Sequence, residues 1–188
     1  MIQDASTIGE REEATVALRA SDRLGWRCRT RAELFHPGST VPYFVKEVDG
    51  NMLLNGGASL LFEYMRGNGS TSTANAKHYF NASAALGVGN SSVAASSFQK
   101  ALQGTKKIVA LSAGFPTHTT GSTASTAAKI IYKSTFTSTQ ANFTWWEWGV
   151  HNRITTGAVQ RMLNRKVGNL LTKTSAATAS LTVTLSLA

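Results

Sequence analysis

Cysteine is almost absent from this 188-residue sequence, which contains Cys28 and no other. A single thiol can form neither an intrachain disulfide nor a zinc site built on several thiolates. Cys28 is therefore expected to be a small, semi-buried apolar residue. The four histidines lack the close spacing that places two imidazoles on one metal ion. We accordingly expect no metal and no cofactor.

Acidic residues are also scarce, and they are unevenly distributed. Residues 1–66 contain eight Lys or Arg and nine Asp or Glu, whereas residues 67–188 contain eleven Lys or Arg and one acid, Glu147. A pair of catalytic carboxylates cannot come from that second part alone. A nucleophile elbow, a phosphate-binding loop and a complete dinucleotide fingerprint are missing as well. The sequence therefore predicts a non-enzymatic protein whose basic C-terminal two thirds face an acidic partner.

Long uncharged apolar runs are missing too, so the sequence predicts no membrane span. Its first residues lack the basic region and apolar stretch of a secretory signal, and we expect a chain that folds in a cytoplasm. A length of 188 residues suits one domain, or one domain with an added arm.

Short stretches in which apolar and polar residues alternate are present throughout, and they predict a mainly β protein. The clearest of these stretches is at residues 180–187. There Leu181, Val183, Leu185 and Leu187 alternate with Ser and Thr, as in a strand with one buried face. Loops are predicted at residues 67–75 and 117–126. Strands are predicted at residues 14–18, 26–30, 41–49, 52–54, 76–80, 84–88, 106–111, 127–136, 142–151, 162–167 and 180–187.

One short helix is predicted at residues 56–66. Asn55 is placed to cap it, because its side-chain oxygen can accept from amides of the first turn. Leu60, Leu61 and Tyr64 then recur at helical spacing, and this face is expected to lie against a sheet.

The most unusual segment is residues 143–151, which contains three tryptophans and the isolated acid. Alternation predicts Trp145 and Glu147 on one face of a strand, and Trp146 and Trp148 on the other. Since both faces are largely apolar, the strand should lie in the centre of a sandwich or at an interface. Glu147 should then be partly buried and paired with a Lys or Arg of a neighbouring strand or with backbone amides. Alternatively, the tryptophans of this strand form a platform on which sugars or nucleic-acid bases stack.

Taken together, several motifs resemble a family of small tailed-bacteriophage virion proteins, of the tail-fibre, tail-collar or minor structural type. They cover roughly residues 50–188, and residues 1–49 match less clearly. The motifs are Asn-Met-Leu-Leu-Asn-Gly-Gly at 51–57, Ala-Leu-Gly-Val-Gly-Asn at 85–90, Phe-Thr-Trp-Trp-Glu-Trp-Gly at 143–149, Met-Leu-Asn-Arg-Lys-Val at 162–167 and Leu-Thr-Lys-Thr-Ser at 171–175.

The resemblance implies an antiparallel β-sandwich at residues 50–188. Alternation at residues 14–18 and 26–30 predicts a hairpin, so we expect residues 1–49 to form an N-terminal hairpin or arm that continues into the core. It also implies a virion component of the neck, collar or tail that works by assembly, as a homo-oligomer and with other virion proteins. Trp146 stands where such proteins are often polar, which implies that another subunit covers this face. The candidate interface residues are Trp145, Trp146, Trp148, Arg153, Arg161, Arg165 and Lys166. The candidate structural residues are Asn55, Gly56, Gly57, Glu147 and Gly149.

Three alternatives remain open from the sequence. A capsid-surface cement protein is the nearest, since it also works by assembly. A receptor-binding or carbohydrate-binding module would use the tryptophan cluster. Nucleic acid is the least favoured partner, because the late basic residues lack the aromatic interleaving of an RNA-binding sheet.

Overall fold

The computed structural model describes residues 25–66, 79, 83–118, 129–153 and 161–187. These residues form two antiparallel sheets and one short helix, and the sheets enclose a common apolar core. The predicted mainly β class and the β-sandwich are thus confirmed. In chain order the elements are β1 (Trp26–Phe35), β2 (Phe44–Asp49), β3 (Met52–Leu53), α1 (Asn55–Met65), β4 (Ala85–Gly89), β5 (Lys106–Ala110), β6 (Lys129–Phe136), β7 (Thr144–His151), β8 (Asn164–Thr172) and β9 (Thr178–Leu187).

The first sheet has four strands in the order β2-β1-β9-β6. Its central strand β9 has the predicted alternation, since Leu181, Val183 and Leu185 are buried in the core. Leu187, which was predicted on the same buried face, is exposed because it lies at the very end of the strand. The alternation of a half-buried strand therefore persists over most of β9 and is lost at its end.

The second sheet has five strands in the order β3-β8-β7-β4-β5. Its strand β4 is buried at every position, because it lies between β7 and β5 and is covered on both faces. Leu86 and Val88 face the core shared with the first sheet. Gly87, between them, lies next to Leu102 of residues 90–105, a segment that contains no predicted or observed strand. In this covering segment Leu102 forms a second, small apolar cluster with Leu54 and Met162.

The predicted helix is confirmed as α1, which begins at Asn55 and ends at Met65. Its Leu60 is buried and Leu61 packs against the core, as predicted for the face laid on a sheet. Capping differs from the prediction, since the Ala58 amide donates to the Leu54 carbonyl at 2.9 Å. The helix starts one residue earlier than predicted, and Asn55 lies inside its first turn.

The N-terminal strands belong to the same sandwich. Of the predicted hairpin, the strand at 14–18 lies outside the described residues, and the second strand is the start of β1. Residues 26–49, assigned by the sequence to a hairpin or arm continuous with the core, supply β1 and β2 of the four-stranded sheet. The predicted strand at 76–80 and the loops at 67–75 and 117–126 lie wholly or mainly outside the described residues.

Candidate functional site

The aromatic strand β7 lies in the centre of the five-stranded sheet, between β8 and β4. Trp145 and Trp148 are both buried in the core between the two sheets. The Trp148 indole donates to the Thr30 hydroxyl of β1 at 2.9 Å, so that it joins the sheets through a buried hydrogen bond. The ring of Trp145 lies 4.8 Å from that of Phe136 in β6, at an interplanar angle of 57°, a tilted arrangement that aromatic pairs favour.

The predicted assignment of Trp145 and Trp148 to opposite faces is wrong. Between Trp145 and Glu147, β7 advances by two residues while its partner β8 advances by four, from Leu171 to Val167. Extra residues in one strand form a bulge, which bends the pairing and changes the direction of nearby side chains. The period of two is interrupted there, and both indoles enter the same core.

Glu147 is fully buried on the opposite face of β7, where it meets Arg165 of β8. The guanidinium donates to one carboxylate oxygen through Nε at 2.9 Å, and its Nη2 lies 2.8 Å from the same oxygen. The amides of Gln103 and Gly104 donate to the carboxylate at 2.9 and 2.8 Å. The prediction that Glu147 is paired with a basic residue of a neighbouring strand or with amides is confirmed, and both kinds of partner are present.

Arg165 is fully buried as well, and residues 90–105 supply acceptors for its remaining N–H groups. Its Nη1 donates to the Gln99 side-chain oxygen at 2.7 Å, and its Nη2 donates to the Val93 carbonyl at 2.9 Å. Buried ions need this degree of hydrogen bonding, because each loses several kcal/mol of hydration on burial. The ion pair therefore fastens residues 90–105 to the sheet.

Two glycines of the second sheet lie where a side chain cannot fit. A Cβ at Gly89 would lie 2.5 Å from Oε1 of Glu147, and a Cβ at Gly149 would lie 2.2 Å from the Asn164 carbonyl oxygen. Neither distance is compatible with a side chain. Gly149, predicted as a structural residue, thus lies in β7 directly against the backbone of Asn164 in β8.

His151, at the end of β7, is fully buried, and neither of its ring nitrogens has a hydrogen-bond partner among the residues that the structure describes. Burial, with a smaller contribution from the charge of Lys106, lowers the pKa of His151 from 6.5 to about 3. The imidazole is consequently neutral at physiological pH. From their scattered spacing, the histidines are predicted to be surface or loop residues, and for His151 this prediction is wrong, because the ring is buried at the end of a strand.

The burial of three candidate interface residues corrects the sequence prediction. Trp145, Trp148 and Arg165 are enclosed by the chain itself, so they cannot contact a partner or stack on a sugar. The two indoles pack in the core, and the guanidinium of Arg165 is paired with Glu147. Four of the candidates retain some exposure, and these half-buried residues are Trp146, Arg153, Arg161 and Lys166.

A surface that the sequence analysis did not single out lies along β2, at the edge of the four-stranded sheet. Val41 and Tyr43 are 72% and 51% exposed, and Val45 is 42% exposed. Monomeric proteins usually expose apolar residues singly, whereas contiguous exposed apolar residues mark binding surfaces. The signal was present in the sequence, because residues 41–45 are Val, Pro, Tyr, Phe and Val.

The outer face of β1 and β2 carries opposite charges. Arg31 lies 2.8 Å from Glu33 and 3.1 Å from Glu47, and Glu47 also contacts Arg29. Hydrogen bonds from the two arginines lower the pKa of Glu47 below its ordinary value. Glu47, although exposed, is therefore held as a carboxylate within a charged cluster on this face.

The remaining chemistry of the described residues is sparse. Among residues 25–66, 79, 83–118, 129–153 and 161–187, no three His, Cys, Asp or Glu side chains come together as metal ligands. Within those same ranges, no helix is long and apolar enough to cross a membrane. Burial raises the pKa of the Cys28 thiol to about 12. Cys28 was predicted to be a small, semi-buried apolar residue, and it is fully buried in the core.

Comparison with known proteins adds no name to this site. No family model, no curated protein and no solved structure matches the chain.

Proposed function

We propose that this chain is a non-enzymatic structural component of a tailed-phage virion, in the neck, collar or tail region, and that it acts by assembly with neighbouring subunits. The class of protein is suggested by the motifs of residues 50–188. The mode of action rests on one observation, the exposed apolar residues along the edge strand β2. An unpaired sheet edge with apolar side chains is a surface on which other chains add strands.

The way in which the fold uses the residues of β7 supports the same proposal. In β7, Trp145, Trp148 and Glu147 stabilise the sandwich from within, since all three side chains are buried. What the described part of the chain exposes is instead a sheet edge with apolar side chains. Such an edge is suited to forming fixed contacts in a particle.

Two alternatives make different predictions. A capsid-surface cement protein would use the same edge in another part of the particle. A carbohydrate-binding module would have to rely on Trp146 without its neighbours, since Trp145 and Trp148 are enclosed. A glycan array with the wild type and the Trp146→Ala variant tests that module, and equal or absent binding by both proteins counts against it.

The proposed function is tested on purified particles of the phage that encodes this chain. Mass spectrometry of separated heads and tails should find the chain in the tail fraction, and electron microscopy with an antibody should label the neck, collar or tail. Recovery in the head fraction would favour the cement protein. Absence from both fractions would overturn the proposal.

A further inference from the structure

The outer face of the four-stranded sheet carries two rows of cations. From Cys28 to Leu34 the even-numbered side chains of β1 are buried, so the odd-numbered arginines of this strand point outward. In β6 the even-numbered side chains from Tyr132 onward are buried, and Lys129 and Lys133 point outward in the same way. The two rows are separated by a single strand, β9.

Strand β9 contributes hydroxyl groups between the two rows. Ser186 is opposite both Arg27 and Lys129, and Thr182 is opposite Lys133. Neither hydroxyl has a hydrogen-bond partner within the described part of the chain. Since neighbouring strands are about 4.8 Å apart, the cations on the two sides have Cα atoms about 10 Å apart. We refer to this outward-facing set as the basic strip, and its members are Arg27, Lys129, Lys133, Thr182, Thr184 and Ser186.

The cations of this face differ in whether they are paired. Arg29 and Arg31 form ion pairs with carboxylates of the same face. By contrast, Arg27, Lys129 and Lys133 have no ion-pair or hydrogen-bond partner among the residues that the structure describes. Ammonium, guanidinium and hydroxyl groups all donate hydrogen bonds, and carboxylates are acceptors that carry the complementary charge. The basic strip therefore fits an acidic occupant.

The acids that could neutralise the basic strip are few, because the chain contains ten in all. In the described residues, three lie beside arginines of β1, one is on α1 and one is buried in an ion pair. In that order they are Glu33, Glu47, Asp49, Glu63 and Glu147. The other five are Asp4, Glu10, Glu12, Glu13 and Asp22. Three of these are clustered at residues 10–13, whose sequence is Glu-Arg-Glu-Glu.

The chain connects residues 10–13 to the sheet next to the basic strip. The described part of the chain starts at Gly25, two residues before Arg27. The twelve residues from Glu13 to Gly25 can span about 40 Å when extended. The distance along β6 from Lys129 to Lys133 is only about 13 Å. The acidic segment can thus reach every cation of the strip, and such a short connection raises its effective concentration there into the millimolar range.

A nucleic-acid backbone fits this face less well. Glu47 and Asp49 lie opposite Arg31 and Arg29 in the register, and Glu33 is next to them on the same face. These carboxylates would repel the phosphates of a polyanion that extends beyond the basic strip. A short acidic segment avoids them, because it needs to cover only the unpaired cations.

We propose that the acidic residues 10–13 dock on the basic strip of their own chain, so that their carboxylates neutralise Arg27, Lys129 and Lys133. The occupant is this segment because it contains the largest group of acids that the described residues do not hold, and because the chain joins it to the sheet beside Arg27. The docking goes beyond the proposed function, since it concerns the chain by itself.

The contact is tested by zero-length cross-linking of the full-length protein with a carbodiimide, which couples a carboxylate to an adjacent amine. Mass spectrometry should find residues 10–13 joined to Lys129 or Lys133. The matched controls are Lys100 and Lys107, which are also exposed but belong to the other side of the sandwich. Products with Lys129 or Lys133 should be at least about tenfold more abundant than those with the control lysines. Equal abundance would overturn the proposal.

The charges are tested with two double variants that lose the same net charge. Lys129→Gln/Lys133→Gln should raise the rate of tryptic cleavage after Arg11 roughly three- to tenfold, the effect of losing two exposed ion pairs. Lys100→Gln/Lys107→Gln should leave that rate unchanged, and circular dichroism checks that both variants are folded. In the wild type, about 0.5 M sodium chloride should also raise the rate, because salt screens exposed charges. Equal cleavage rates in the two folded variants would contradict the docking.

Docking within one chain is distinguished from exchange between copies by isotopes. When ¹⁵N-labelled and unlabelled proteins are mixed before cross-linking, docking within one chain joins only peptides of the same isotope. Mixed products would show that the segment binds a neighbouring copy and would overturn the proposal as stated. None of these measurements uses virions, so a chain that is absent from virions but cross-linked in this way would remove only the proposed function.

Discussion

Arg165 and Glu147 are two opposite charges buried at the same place, and their partners explain how the fold tolerates them. The carboxylate accepts from the guanidinium and from two amides, and the guanidinium also donates to Gln99 and to the Val93 carbonyl. Replacing one member of such a pair leaves the other charge buried and uncompensated. The residues of this centre therefore depend on each other more than exposed ion pairs do.

Arg165→Met is expected to lower the free energy of unfolding by about 3–5 kcal/mol, because Glu147 then keeps only its amide donors. Urea denaturation measures the loss. The control is Arg31→Met, which removes an exposed arginine of an ion-paired cluster and should change the urea midpoint little. The double variant Glu147→Gln/Arg165→Met should lose less than the sum of the two single losses. Equal losses for Arg165→Met and Arg31→Met would show that the buried pair has no special role.

His151 should make the protein sensitive to mild acid. Its pKa is lowered to about 3 by burial, while in the unfolded chain it is near 6.5. Unfolding therefore takes up a proton below pH 6.5, so the stability due to the neutral ring is present at pH 7 and is lost as the pH falls from 6.5 toward 3. His151→Gln should show a smaller drop in urea midpoint between pH 7 and pH 4.5 than the exposed-site control His118→Gln. Parallel drops in both variants would rule this explanation out.

At the scale of elements, α1 and β8 come together through a contact that only glycine permits. A Cβ at Gly57 would lie 2.5 Å from Cα of Leu163, just before β8, whereas a Cβ at Gly56 would meet only Cδ of Arg161 at 3.4 Å. Both glycines were predicted as structural residues from one motif. The structure separates them, since one faces backbone and the other faces a flexible side chain.

Gly57→Ala is expected to destabilise the protein by roughly 1–3 kcal/mol, because the added methyl group pushes the helix away from β8. Gly56→Ala is the matched control and should be neutral or stabilising, by up to about 1 kcal/mol, since alanine favours the helix. Thermal unfolding of both variants measures the difference. A Gly57→Ala protein as stable as Gly56→Ala would mean that the close approach to Leu163 is easily relaxed.

At the scale of the whole molecule, one core joins the two sheets. The large cluster of buried residues contains side chains from both sheets, and the hydrogen bond from Trp148 to Thr30 crosses between them. If one sheet unfolds, the apolar side chains on the inner face of the other sheet become exposed to water. The described strands should therefore unfold together.

Tryptophan fluorescence and far-ultraviolet circular dichroism should report the same transition in urea. Trp145 and Trp148 are buried in the core, so their emission should shift to longer wavelength when it opens, at the denaturant concentration at which the strands are lost. Coincident midpoints are the expected result. Two separated transitions would show that the sheets unfold independently.

Much of the fold was predictable because strands and helices are encoded in the local pattern of apolar and polar residues. The alternation of Leu181 to Leu185 identified β9, and the spacing of Leu60 and Leu61 identified α1. The two apolar faces of the aromatic strand predicted that Glu147 is partly buried and paired, and the structure shows it paired and fully buried. The faces of Trp145 and Trp148 were not predictable, because the bulge that brings both into the core comes from extra residues in the partner strand. Alternation within one strand contains no information about its neighbour.

The candidate site was predictable in part. The sequence identified the tryptophan strand and the basic residues around it, yet the structure buries Trp145, Trp148 and Arg165 and exposes the edge of β2. An apolar segment such as residues 41–45 is compatible with a central strand and with an edge strand. Whether it is covered depends on strand order, and the four-stranded order that leaves β2 outermost is a property of the assembled sheet.

The sequence by itself determined the mainly β class, the helix, the position of most strands and the need of Glu147 for a partner, because periodicity and charge are local. Only the tertiary structure decided that Arg165 is the basic partner, that residues 90–105 supply the amides, and that β2 remains at an edge. These depend on contacts between residues far apart in the chain, which form only when the sheets pack.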